Sequence, residues 1–404
     1  MGLTVLIVGG GASGMAASIT AAEHGAETVL LERQSRLGRK LLATGNGRCN
    51  LSNVHADVAA YHGEDPVFCQ PALQRFGTSD TLNWFREMGL LTITEPSGRV
   101  YPWSDQANSV LDVLRFTLER RGVRVVTGCE VKKVWVRREG YLLKTTAGDF
   151  AGDRLIIAAG GAAGGRLGGT DLGYRLLESL GHHKTPLFPA LVQLTVEGGA
   201  TRALKGVRAQ AALEVRRGGT VTVRGAGEVQ FTETGVSGPA VFDVSRAVSS
   251  GGTGLLLRLD LLPHLEQEAL VALLRARRSA LPGLTADDLL TGMLHNRLGR
   301  VMVKNAGISG GAPVGTLDDE TLARVAETVK AFTLTLNGTQ GFDSAQVTAG
   351  GMTVAEFEAR TLESRIHPGL YACGEVLDVD GDCGGFNLQW AWSSGRLAGW
   401  SATS

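Results

Sequence analysis

The sequence predicts an α/β fold: a Rossmann-like βαβ opening, an insertion-like antiparallel layer or β-barrel, a small helical subdomain and a second glycine-rich region near the end. Three observations predict it. A strand, a glycine-rich turn, a helix and a second strand open the chain; a second glycine-rich turn and helix close it; and the middle changes to short alternating segments. At 404 residues there is chain enough for two or three domains.

The opening reads as an apolar strand at 4–8, a glycine turn at 9–14, a helix at 15–24 and a strand at 28–31. Residues 107–122 carry a helical pattern, strand-like segments follow at 123–127, 130–136 and 141–145, and the apolar run 155–159 leads into Gly160 and Gly161. From about residue 186 short alternating segments such as 211–215 and 220–223, separated by Gly-Gly turns, predict an antiparallel layer or barrel. Leu265, Leu270, Leu273 and Leu274 then recur at helical spacing before a Pro282-Gly283 break. Thr316 and Asp319 resemble a capping box ahead of a helical face made by Leu322, Val325, Val329 and Phe332. Strand pattern returns at 333–336, and after the apolar segment 370–373 the turn 384–389 precedes a helix at 390–400.

Lys plus Arg and Asp plus Glu both number 40, so net charge gives no support to a polyanionic partner. The five cysteines are odd in number, scattered and free of any Cys-x-x-Cys pair, which argues against a disulfide framework or a zinc site and for a reducing, cytoplasmic setting. The start lacks the pattern of a signal peptide and no apolar run approaches membrane-spanning length, so neither export nor a membrane partner is expected.

Gly9, Gly11 and Gly14 form a G-x-G-x-x-G between strand and helix, and Glu32 ends the next strand roughly twenty residues on. Glycine permits the turn and close phosphate approach, the helix start offers N–H groups to a pyrophosphate, and Glu32 suits ribose hydroxyls. A ligand-free tight turn is the bland alternative. Alone the fingerprint does not choose among dinucleotides. The polar loop 38–53 could wrap an extended one, and the helix start after Gly384 and Gly385 offers a second set of N–H groups to an electron-rich ring. Gly225 to Gly227 reads as a hairpin turn, His182-His183 as a solvated helix end, and Gly235 to Pro239 as a turn. Tyr101, Trp103 and Phe386 fit either an active-site lining or the core, and Cys49 and Cys383 either redox thiols or small buried residues.

These pieces, with the stretches 98–102, 231–239, 347–351 and 374–395, closely resemble the BaiN/YhiN-type FAD-dependent oxidoreductases, also called aminoacetone-oxidase-like, over essentially the whole chain. The resemblance implies one Rossmann-like FAD-binding domain made of 1–185 with 345–404, interrupted by a β-barrel-like domain, 186–262 with 333–344, and a small helical domain, 263–332. It implies FAD, with Gly9, Gly11, Ala12, Ser13 and Gly14 at the pyrophosphate and Glu32 and Arg33 on the adenosine side. Lys40, Thr44, Gly45, Asn46, Gly47, Arg48 and Cys49 would flank the middle of the cofactor, Val131 the adenine, and Ala159, Gly160 and Gly161 the short second FAD motif. Glu375 would bind the ribityl chain or its neighbouring phosphate, Gly385, Asn387 and Leu388 would approach the flavin's pyrimidine edge, and Gly374, Asp380, Gly384 and Phe386 complete the implied cofactor-binding set. Cys383 departs from the small non-thiol residue expected there, and Trp103 occupies a variable position; either could reshape the substrate side.

The family further implies hydride taken from NAD(P)H as a transient reductant and passed to an activated carbon–carbon double bond of a small-molecule acceptor. A uracil ring in RNA is the alternative acceptor, and a flavin-binding sensor without turnover is the remaining reading. No second G-x-G-x-x-G marks a separate nicotinamide domain, no metal site is expected, and no catalytic side chain follows from spacing alone.

Overall fold

The computed structural model describes residues 2–404, in two compact units: 2–188 with 345–404, and 189–344. In the first unit five parallel strands lie in the order Leu370–Ala372, Arg154–Ile157, Thr4–Val8, Glu27–Leu31, Arg124–Val126. Val5, Leu6 and Ile7 are fully buried, as a central parallel strand covered on both faces requires. The helices Ala12–Glu23 and Phe386–Ser401 pack against each other at backbone distance, because a Cβ on Gly395 would stand 2.3 Å from the Ser13 carbonyl oxygen and one on Gly399 would stand 2.4 Å from that of Ala17. The hairpin layer Val131–Val136, Tyr141–Thr145, Gly148–Gly152 is antiparallel, and a small sheet joins Ser52–Asn53, Arg99–Pro102 and Thr92–Thr94.

In the second unit six strands close a barrel in the order Leu194–Val196, Gly235–Ser237, Thr220–Phe231, Arg208–Arg217, Leu255–Asp260, Phe332–Thr339. Closure leaves no unpaired strand edge. One hydrophobic core holds the barrel residues Leu213 and Leu257 together with Leu270, Leu298 and Val325 from the helical segment, so residues 263–332 share the barrel's core rather than making one of their own.

Several local expectations shift. Gly225 to Gly227 lies inside the strand Thr220–Phe231, not in a hairpin turn: a Cβ on Gly225 would meet Val244 Cγ1 at 3.0 Å, so the bare backbone admits the helix Pro239–Gly251. The turn falls at Gly218 and Gly219, both left-handed. The helix Asp319–Lys330 is capped by Asp318, whose carboxylate accepts from the Thr321 N–H, rather than by Thr316. Gly235–Ser237 is a strand of the barrel. No helix among the described residues is long and apolar enough to cross a membrane.

Candidate cofactor and active site

Strand Thr4–Val8 delivers the chain into Gly9, whose φ of +110° and 2.3 Å clearance from the Ala158 carbonyl oxygen exclude a side chain. At Gly14 a Cβ would collide with the Gly9 oxygen at 1.8 Å, whereas Gly11 has nothing within 4 Å and faces open space. Helix Ala12–Glu23 starts on Gly11 with no side-chain cap, and its first intrahelical bond runs from Met15 N–H to the Gly11 oxygen. The amides of Ala12, Ser13 and Gly14 therefore have no carbonyl behind them in the helix, and the dipole favours an anion there.

Glu32 accepts from the Gly10 N–H at 2.6 Å through Oε2 and from the Gln34 N–H at 2.6 Å through Oε1. The carboxylate is thereby locked to the turn while keeping lone pairs for hydroxyls. Gly9, Glu32, Arg33, Val131 and Ala159 line one small cavity, which also includes Cys129, Gly168, Thr170 and Leu172. The last four were not among the sequence candidates. Arg33 reaches the Gly168 oxygen at 3.2 Å, and the cluster Gly164, Gly165, Gly168, Gly169 was the available signal.

Lys40 and Glu375, 335 positions apart, meet in a 2.6 Å ion pair, and the other Glu375 oxygen accepts from the Thr348 N–H at 2.9 Å. A Cβ on Gly161 would lie 2.7 Å from that oxygen, and one on Gly374 would lie 2.5 Å from Ser13 Oγ. The second FAD motif, the Gly374-Glu375 turn and the first helix thus converge. Residues 38–53 are less loop-like than expected: a short helix Arg39–Ala43 and a 3-10 turn Thr44–Gly47 precede the strand Ser52–Asn53. Gly45, Asn46, Gly47 and Cys49 all hold left-handed backbone. Burial pushes the Cys49 thiol up to about 12, and likewise Cys373, so both are neutral thiols rather than nucleophiles.

The last helix begins four residues earlier than its sequence pattern predicts, at Phe386, on Gly385 with φ +101° and again without a side-chain cap. A Cβ there would sit 2.3 Å from the Ser52 oxygen. Gln389 N–H already bonds to the Gly385 oxygen, which leaves the amides of Phe386, Asn387 and Leu388 for a ligand. The Asn387 side chain is committed to the turn before the helix, accepting from Gly381 N–H at 2.8 Å and donating to its oxygen at 2.7 Å. Asp380 is buried in a two-stranded pairing with His62. Asn53 Nδ2 donates to the Gly384 oxygen at 2.8 Å. Asn50 Oδ1, beside Gly385, is sealed from solvent with no donor. A buried acceptor wants a partner, and the imide N–H of a flavin ring is one. The glycine cradle, two uncapped helix starts and this orphan acceptor fit FAD.

Arg48, a cofactor candidate, is held by Asp105 and by Glu95 at 3.1 Å, with its guanidinium 4.0 Å above the Tyr101 ring centroid. Trp103 is exposed. His182 is not solvated: its side chain is fully buried, stacked 4.6 Å from Phe357 and bonded to Glu356 at 3.0 Å and Ser364 at 2.9 Å, while His183 stays exposed on the other Glu356 oxygen. No metal-binding cluster occurs among the described residues. A cavity of about 650 Å³ in the barrel unit, lined by Arg208, Leu262, Met293 and His295 among others, has none of the glycine cradle described above.

A Rossmann sheet carrying this cradle defines an FAD-dependent oxidoreductase. The chain belongs to the family described as the HI0933-like protein Rossmann domain, which matches residues 3–401. It is 40% identical, over 98% of both chains, to the 3-dehydro-bile acid delta(4,6)-reductase of Clostridium scindens. It is 32% identical, over 96% of this chain and 95% of the relative, to the ribosomal RNA dihydrouridine synthase of Escherichia coli. Among solved structures, the 3-ketosteroid delta1-dehydrogenase of Sterolibacterium denitrificans shares the fold at 14% identity and a TM-score of 0.50, covering 99% of both chains.

Proposed function

We propose that this enzyme takes hydride from NADH or NADPH and delivers it to an activated carbon–carbon double bond in a small-molecule acceptor. The observation that carries the reading is the full-length 40% identity to a delta(4,6)-reductase. Bound FAD supplies the two-electron hydride chemistry. The first helix start would hold its pyrophosphate, Glu32 its ribose, and Lys40 with Glu375 the central segment. The amides of Phe386, Asn387 and Leu388 would stabilise negative charge on the reduced ring. Without a second dinucleotide fingerprint, the nicotinamide is expected to visit the flavin pocket transiently. Incubating holoprotein with NADPH and a steroid 4,6-dien-3-one tests this: the product gains two mass units. An unchanged dienone after enzyme reduction contradicts the acceptor, and a flavin that neither NADH nor NADPH bleaches contradicts the donor.

The second reading, reduction of a uracil ring in RNA, is favoured by the 32% identity to a ribosomal RNA dihydrouridine synthase. The uracil C5–C6 bond is an activated double bond in the same chemical sense. Equal numbers of basic and acidic residues supply no overall field for RNA, so a local patch would have to. Ribosomal RNA whose dihydrouridine is the same in a deletion strain as in its parent excludes it.

A further inference from the structure

Reducing a polarised double bond needs a proton as well as a hydride, and the reading above leaves the proton source open. Tyr101 stands where three segments meet. Its strand, Arg99–Pro102, pairs with Ser52–Asn53, which carries the Asn53 bond to Gly384. A Cβ on Gly45 would lie 3.3 Å from Tyr101 Cε1, and one on Gly384 would lie 3.3 Å from Arg99 Nε. Tyr101 thus touches the left-handed loop on one side and adjoins the turn before the last helix on the other.

The hydroxyl itself is unoccupied. The residue is only 6% exposed, yet its oxygen makes no hydrogen bond among the described residues and is not among the atoms sealed from solvent. Three other buried tyrosines spend theirs, Tyr61 on the Phe386 oxygen, Tyr141 on that of Pro368 and Tyr371 on that of Ser401, while the unpartnered hydroxyl of Tyr174 is sealed from solvent and so out of reach of an acceptor. The guanidinium of Arg48 over the ring is fixed by Glu95 and Asp105, a cation placed to steady a tyrosinate. Alternation puts Ile93, opposite Tyr101, on the same face of the small sheet, and Trp103 N–H bonds to the Leu91 oxygen just beyond it. Leu91, Ile93 and Trp103 are 65%, 42% and 67% exposed, an apolar lip on the sheet face that Tyr101 shares.

We propose that Tyr101 is the catalytic proton donor and that the adjoining lip of Leu91, Ile93 and Trp103 selects flat, apolar enones. Resting on the double-bond reading above, the step balances as follows. Hydride from bound reduced FAD would bond to the β-carbon, the displaced π pair would move onto the carbonyl oxygen, which takes the proton from Tyr101 as the O–H bond breaks, the enol would tautomerise in water, and the tyrosinate would regain a proton from water. Burial, then the nearby Glu95 charge, raises the Tyr101 pKa above its ordinary value, keeping the phenol protonated between turnovers.

The test titrates oxidised holoprotein with 4-chlorophenol, whose phenolate mimics an enolate and gives a long-wavelength charge-transfer band over a flavin. Wild type is expected to show the band, and Tyr101→Phe, with its FAD spectrum intact, to bind the phenol at least about tenfold more weakly. The same variant should be reduced by NADPH at the wild-type rate yet reoxidised by an enone about 100-fold more slowly. Absence of the band in wild type, or an equal Kd in Tyr101→Phe, overturns the proposal. Because phenol binding requires no turnover, failure of the double-bond reading would show separately, as a dienone left unreduced by wild type.

Discussion

At the scale of single residues, the two helix starts and the His182 cluster respond to different conditions. Burial pushes the His182 pKa below its ordinary 6.5, outweighing the hydrogen bond to Glu356, with His183 and His367 adding like charge when protonated. Despite burial, hydrogen bonds from His183 and His182 hold Glu356 below the usual carboxylate range. A depressed folded value means the neutral imidazole stabilises the fold fully above about pH 6.5, and that contribution is lost as pH falls through the lower folded value. The melting temperature is therefore expected to fall between pH 7 and pH 5, with a shallower slope in His182→Gln; equal slopes in the two proteins contradict this. Sequence alone missed the cluster because the two partners of His182 lie 174 and 182 positions away. Asn50 escaped for another reason: only the fold shows that its oxygen is sealed and unpaired.

At the scale of elements, the pair formed by Ala12–Glu23 and Phe386–Ser401 carries both uncapped starts, so its spacing governs the cradle. Gly395→Val or Gly399→Val would drive side-chain atoms into the Ser13 or Ala17 backbone. Each is expected to cost about 1–3 kcal/mol and to loosen FAD, measured by thermal melting and by flavin released on gel filtration. Unchanged melting and flavin content would show that the helices can separate without consequence. Most elements were legible from alternation and apolar runs, as at Thr4–Val8 and Tyr141–Thr145. The errors came where backbone geometry, not pattern, decides. The last helix starts at Phe386 because Gly385, with φ +101°, turns the chain into it, whereas apolar pattern strengthens only at Trp390. Gly225 was misread because a glycine opened for a packing helix looks in sequence like a glycine in a turn.

At the scale of the whole molecule, each unit has its own hydrophobic core, with no residue common to both. The proposed cofactor ligands all belong to 2–188 and 345–404. Ligand binding stabilises only the fold that holds it, by about 2.7 kcal/mol at a hundredfold excess over Kd. Calorimetry of apoprotein titrated with FAD is expected to move one transition upward and leave the other in place; two transitions moving equally would mean the units unfold as one. The shift in texture near residue 186 is legible in the sequence, but the shared core of barrel and helices is not, since it joins Leu213 to Val325 across more than a hundred positions.

The most direct test of the central claim is an anaerobic visible spectrum of purified protein, taken as isolated, after NADPH, and again after a steroid dienone. One FAD per chain that bleaches with the nucleotide and recolours with the dienone is the predicted result. A protein that holds no flavin even after FAD is added, or a reduced flavin that the dienone leaves bleached, would contradict it.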